Sequence, residues 1–190
     1  DAEVEERESL EYDVLIVGGG PAGLATAIRL KQLCLEHDKE LEVCLIEKGS
    51  HIGAHVLSGN VFEPRAFNEL FPDWEKEEDE EMRAPLTQQV TSDKLMILTG
   101  KDSSITMPNI IMPKSVDNHG NYIISLGRLC EWMSEQAEEL GVEILPGIAG
   151  DKILFNEDGS VGGVITGDMG IAKDGTMKDT FEPGLEIRAR

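Results

Sequence analysis

Residues 14–24 read VLIVGGGPAGL, and a second apolar run, LEVCLIE, ends at Glu47. Gly18, Gly20 and Gly23 stand at G-x-G-x-x-G spacing between an apolar segment, Tyr12 to Val17, and a helical one, Pro21 to Leu33. Each glycine has a separate task in such a turn. Gly18 permits the sharp strand-to-helix reversal, Gly20 lets backbone approach a pyrophosphate, and Gly23 lets helix and strand pack closely. The helix N-terminus then directs N–H groups at the anion. Glu47, at the end of the next strand, stands where a carboxylate accepts hydrogen bonds from a ribose. Together these residues predict a dinucleotide site. The competing reading is a glycine-rich turn in another α/β protein.

The surrounding elements fit that task. The opening βαβ unit runs from Tyr12 to Glu47, its helix burying Ala22, Leu24, Ala25 and Ile28 and turning Arg29 and Lys31 outward. A short helix is expected in EPRAFNELFPDW, with Pro64 in its first turn and Pro72 ending it. Residues 75–81 read as a loop, and Lys94 to Leu98 and Ile105 to Met107 as strands. Leu126, Leu129, Cys130, Met133, Ala137 and Leu140 recur at helical spacing, with Gly141 suited to cap the helix. Val142 to Leu145 reads as a third buried strand. Segments 152–156, 161–167 and 185–190 read as a meander, with DG turns at Asp158-Gly159 and Asp174-Gly175.

About ninety residues separate Glu47 from Val142, well beyond an ordinary crossover. An insertion there, followed by a meander after the third strand, resembles the plan of FAD-binding two-domain flavoproteins, and by that fold-level analogy favours FAD over NAD. The fold expected is therefore α/β, a partial FAD/NAD(P)-binding Rossmann-like fold of the two-domain flavoprotein type, with a β-meander and inserted strands. Its divisions are an acidic tail over 1–11 and the N-terminal part of an FAD-binding domain over 12–190.

Composition narrows the partners. The 190 residues allow one domain or slightly more. The net charge is −20, and residues 1–11 and 75–81 each hold six acids against one base, so half the charge lies in two short segments. That distribution lacks the basic footprint of a nucleic-acid binder. Cys34, Cys44 and Cys130 form no C-x-x-C pair and read as buried free thiols rather than metal ligands. No run reaches transmembrane length. An acidic start without Met suits a processed or trimmed N-terminus.

VGGGPAGLATAIRLKQL, IEKGSHIGAHVLSGNVFEPRAFNELFPDW, NHGNYIISLGRL, AEELGVEILPG, GDMGIAKDG and FEPGLEI together resemble electron-transfer flavoprotein–ubiquinone oxidoreductase. GAHVLSGN, ELFPDW and DMGIAKDG are its most specific parts. The resemblance implies a monotopic flavoprotein on the matrix face of the mitochondrial inner membrane, moving electrons from reduced electron-transfer flavoprotein to ubiquinone. It implies FAD, and an iron–sulfur cluster in the complete enzyme that is not ligated by this chain. Members are several-fold longer, so a fragment, a split protein or a subunit completed by a second chain is expected, inactive alone.

By the same resemblance, Gly18, Gly20, Ala22 and Gly23 form the pyrophosphate turn and Glu47 is the ribose acid, with Lys48 beside it. Ser58 and Gly59 face the flavin side, and backbone near Ala149 faces the adenine. Lys48 also reads as an exposed lysine, and Ser58-Gly59 as an ordinary turn. An arginine contact found in related flavoproteins is not transferred, since Ser125 and Leu126 occupy those positions. His119 reads as structural. Phe67, Leu70, Phe71 and Trp74 recur at i, i+3, i+4 and i+7. By pattern this is a core stripe; by resemblance, segment 52–74 is a membrane-contacting surface. Two alternatives stand beside this function: a flavin-dependent isoprenoid reductase, and a non-catalytic scaffold that kept an FAD half-fold.

Overall fold

The computed structural model describes residues 7–190 apart from 81, 109–112 and 114–115. Residues 1–6 of the expected tail and residue 81 of the acidic stretch thus lie outside the described residues. In chain order the elements are β1 (Ser9–Tyr12), β2 (Val14–Val17), α1 (Pro21–Glu36), β3 (Val43–Glu47), β4 (Asn60–Phe62), α2 (Arg65–Leu70), β5 (Met96–Gly100), β6 (Ser103–Thr106) and β7 (Tyr122–Ile124). They continue with α3 (Leu126–Glu139), β8 (Val142–Pro146), β9 (Gly150–Phe155), β10 (Val161–Thr166), β11 (Met169–Ile171), β12 (Met177–Glu182) and β13 (Glu186–Ala189). Two compact units result: Asp1–Val56 with Cys130–Arg190, and Leu57–Leu129.

The first unit holds the parallel sheet β2-β3-β8, in register from Val14↔Val43 to Glu47↔Pro146. Its strands are short and almost wholly apolar; central β3 is buried, while β2 and β8 at the edges are half-buried and Val17 is exposed. α1 packs against all three. Its buried residues are Leu24, Ala27, Ile28 and Cys34, spaced along one helical stripe. This corrects the expected face: Ala27 is buried, while Ala22 is exposed in the first turn, where helix N–H groups have no helical acceptor. On the other face, Cys44 and Ile46 form a core with Ile187 of β13, flanked by Leu15, Val164 and Leu185.

The meander β13-β10-β9 is antiparallel, and β1 extends it in parallel along β13 from Ser9↔Glu186 to Tyr12↔Ala189. The tail expected over 1–11 therefore gives way to strand from Ser9. Leu10 and Tyr12 alternate with exposed Ser9 and Glu11, a half-buried pattern that the acidic composition masks. At Asp13 the chain leaves one sheet for the other, and its carboxylate accepts the N–H of Glu42. A separate hairpin, β11-β12, interrupts the meander and contains the Asp174-Gly175 turn.

In α3, Leu129, Cys130, Met133 and Ala137 are buried, and Gly141 ends the helix with φ +83°. All three cysteines are free and buried. Burial, with Glu143 nearby, pushes the Cys44 thiol up to about 11. Burial, with Glu131 and Glu47, does the same to Cys130. Neither is a thiolate near neutral pH.

The second unit contains two short antiparallel pairs, β4-β7 and β5-β6. α2 follows Pro64, and Phe71 N–H closes it onto the Phe67 carbonyl. Phe67 is 3% exposed. Its ring meets those of Phe62, Phe71 and Trp74 at centroid distances of 6.0, 5.0 and 5.7 Å. Trp74 also meets Tyr122 edge-on at 5.9 Å and donates its indole N–H to Asn68.

Candidate functional site

The turn expected to hold a pyrophosphate is built as its glycines require. Gly18 has φ +111°, a region costly for any side chain, and its N–H donates to the Ile46 carbonyl. A Cβ on Gly23 would lie 2.0 Å from the Gly18 carbonyl oxygen, so only glycine lets helix and turn touch. A Cβ on Gly20 would meet nothing within 4 Å. Open space over that backbone is what close approach of a diphosphate needs. Pro21 opens α1 and lacks an N–H, leaving Ala22 and Gly23 to present first-turn donors.

Glu47 is anchored beside this turn. Its carboxylate accepts the Gly19 N–H at 2.8 Å and the Gly49 N–H at 2.7 Å. His55 Nδ1 stands 4.0 Å from the same carboxylate. Burial alone would raise the Glu47 pKa. The Gly49 and Gly19 amides, with His55 and Lys48, outweigh burial and hold it below the usual carboxylate range. The group is therefore ionised and oriented at neutral pH, with lone pairs left for hydroxyl donors. The G-x-G-x-x-G spacing gives no role to Gly19 or Gly49. Their signal was present: a third consecutive glycine, and a glycine two residues past the acid.

The loop after β8 is tied to the same place. Ile148 N–H donates to the Glu47 carbonyl and Gly147 N–H to that of Gly49. Ala149 is exposed, and its carbonyl accepts the Gly167 N–H. Gly18, Gly20, Ala22, Gly23, Glu47 and the backbone near Ala149 thus belong to one unit. Lys48 follows Glu47 with its side chain exposed. Ser58 and Gly59 are exposed in the second unit, Gly59 with φ +81°. A groove of about 580 Å³ also follows the outer edge of β2, lined by Val14, Val17, Ile153 and Val161; it includes neither the glycines of the turn nor Glu47.

The stripe Phe67, Leu70, Phe71 and Trp74 divides. Phe67 is buried within its own unit, as the core reading of the stripe expects. Ile52, at the start of the expected membrane segment, is likewise buried, in the first unit. Leu70, Phe71 and Trp74 are half-buried. Exposed apolar side chains of the second unit include Leu57, 90% exposed and within the expected segment 52–74, and a group on the β5-β6 hairpin. Met96, Ile97 and Ile105 are about half exposed there, and Leu98 is 78% exposed. No helix among the described residues is long and apolar enough to cross a membrane.

Residues 16–72 match the profile of the NAD(P)-binding Rossmann-like domain family. The electron transfer flavoprotein-ubiquinone oxidoreductase of Pseudomonas aeruginosa is 53% identical over 97% of this chain and 33% of its own length. The mitochondrial enzyme of that name from Sus scrofa is 56% identical over 97% of this chain and 29% of its own. The chain thus spans about a third of the curated relatives it matches. In structure it is similar to a geranylgeranyl bacteriochlorophyll reductase-like protein from Thermoplasma acidophilum. The TM-score is 0.60 at 19% identity, over 95% of this chain and 38% of that one. It is also similar to a myxobacterial FAD-dependent halogenase, with TM-score 0.56 at 16% identity over 94% and 36%. Those two likenesses show the fold, a mixed α/β Rossmann-like domain of the FAD/NAD(P)-binding type. Across 97% of its length the chain is thus similar, at 53–56% identity, to the matching third of proteins named electron transfer flavoprotein-ubiquinone oxidoreductase.

Proposed function

We propose that this chain supplies the ADP half of an FAD site in an enzyme that passes electrons from reduced electron-transfer flavoprotein to ubiquinone at a membrane surface. The observation that carries the reading is the joining of the Gly18–Gly23 turn to an oriented, ionised Glu47. The Gly18–Gly23 turn and the first turn of α1 would hold the pyrophosphate, Glu47 would accept hydrogen bonds from the ribose hydroxyls, and the backbone near Ala149 would face the adenine. Ser58 and Gly59 serve the flavin side. When bound, FAD supplies the electron-accepting and electron-donating chemistry; the chain's residues hold and orient it. An iron–sulfur cluster belongs to other parts of a complete enzyme.

Relatives named mitochondrial support a mitochondrial location, and we place the protein at the inner membrane, matrix face. Membrane contact is assigned to the β5-β6 hairpin, with half-buried Leu70, Phe71 and Trp74 as secondary candidates. Met96 and Leu98 on one face and the Ile97–Ile105 pair on the other give this hairpin exposed apolar side chains suited to the lipid interface. Segments lying outside the span of this chain, or a second chain, complete the quinone site. The isoprenoid-reductase alternative rests on fold likeness at 19% identity and is outweighed by relatives above 50%.

Glu47→Ala tests the site. It removes charge-assisted hydrogen bonds worth roughly 1.5–3 kcal/mol. FAD affinity, measured by isothermal titration, is expected to fall about 10- to 100-fold. Unchanged affinity would remove Glu47 from the ribose role.

A further inference from the structure

The β11-β12 hairpin pairs only with itself among the described strands, yet its two roots are fastened together. Asp168, just before β11, accepts the N–H of Gly184, just after β12, at 2.8 Å. Arg7 crosses over both. One guanidinium nitrogen donates to Asp168 at 2.7 Å and to the Gly184 carbonyl at 2.9 Å. Gly184 leaves no room for a side chain in this clasp, since a Cβ there would lie 2.0 Å from the Thr166 carbonyl oxygen. The Arg7 hydrogen bond, with the Gly184 N–H, holds the Asp168 carboxyl below its usual range, as a working ion pair should.

Arg7 is itself held in place. The next carbonyl, that of Glu8, accepts the Glu186 N–H, and β1 then runs in register along β13. A four-residue strand thus brings one cation to the base of a hairpin some 160 residues later in sequence.

We propose that residues 7–12 form a strap whose Arg7 latches the root of the β11-β12 hairpin, so that opening of this hairpin is governed by the N-terminal strand. This stands apart from the FAD reading, because none of its residues belongs to the dinucleotide site. It rests on three separate chain segments meeting at one carboxylate. An isolated two-stranded hairpin is marginal in water, so its root contacts decide how often it opens.

The test is hydrogen exchange with mass spectrometry on the 190-residue chain, comparing wild type with Arg7→Ala and Asp168→Asn. Arg29→Ala, which removes an exposed ion pair on α1, serves as the control. The clasp is partly exposed, so its opening free energy is modest. Peptides covering 168–185 are expected to exchange about fivefold faster in both latch variants, with β2, β3 and the control unchanged. Tryptic cleavage after Lys173 and Lys178 should accelerate in parallel. Unchanged exchange at the hairpin in both variants overturns the latch. So does equal acceleration everywhere, which would make Arg7 a contributor to global stability rather than a latch.

Discussion

Gly23→Val is expected to lower the melting temperature by roughly 6–12 °C and to abolish dinucleotide binding with it. The first atom of any side chain at Gly23 would fall 2.0 Å from the Gly18 carbonyl oxygen and 3.3 Å from Ile16. The Gly18 oxygen is backbone and cannot swing aside. Relief requires moving either the turn or α1, and α1 packs on all three strands of the parallel sheet. Overpacking of a tight interior costs about 1–3 kcal/mol, and a clash with backbone belongs at the upper end. For a chain of this size each kcal/mol corresponds to about 2–4 °C. A melting temperature within 2 °C of wild type, with FAD still bound, would show that the turn does not need this glycine.

Phe67→Ala is expected to cost about 3–5 kcal/mol, the range for emptying a packed aromatic site. Phe67 lies within about 6 Å of three other rings and is 3% exposed, so its removal leaves a cavity rather than a solvated gap. Vesicle binding should survive in whatever fraction remains folded. Leu98→Asp should behave in the opposite way. Leu98 is exposed, so a charge there costs little stability in water, but it opposes insertion of the hairpin into lipid. Thermal melting beside co-sedimentation with phosphatidylcholine–cardiolipin vesicles separates the two. Loss of vesicle binding by Phe67→Ala at unchanged melting temperature would return the membrane face to α2. Full binding by Leu98→Asp would take it away from the hairpin.

How far the sequence could be read follows from how local each signal was. The βαβ unit was legible because its chemistry is contiguous: an apolar strand, three spaced glycines, a helix and an acid within 36 residues. α3 was legible through its periodic Leu129, Cys130, Met133 and Ala137. By contrast, β4 and β7 are three residues each and pair across about sixty residues, so neither carries a pattern of its own. β1 was hidden by its acids, because its partner β13 lies at the far end of the sequence.

The candidate site was half legible. Gly18, Gly20, Gly23 and Glu47 were read from their types and spacing. The Gly19 and Gly49 amides that orient Glu47 were not, since a backbone donor has no sequence signature until the loops are placed. The aromatic stripe was legible in part, since its pattern reads as core and Phe67 is core. Spacing i, i+3, i+4, i+7 reports one helix face, not what covers it. Here Phe62, two residues into another element, covers it.

Gly20→Val tests the central claim most directly, because a Cβ on Gly20 would touch no protein atom and its φ of −82° suits any residue, whereas Gly18, with equally open space, has φ +111°. A branched side chain there leaves the protein's own packing alone and fills the space over the phosphate turn. FAD titration followed by flavin fluorescence, on wild type and Gly20→Val with matched melting curves, reads both quantities. The account predicts saturable binding by wild type and none by Gly20→Val, at a melting temperature within about 2 °C of wild type. Stoichiometric FAD retained by Gly20→Val would contradict it.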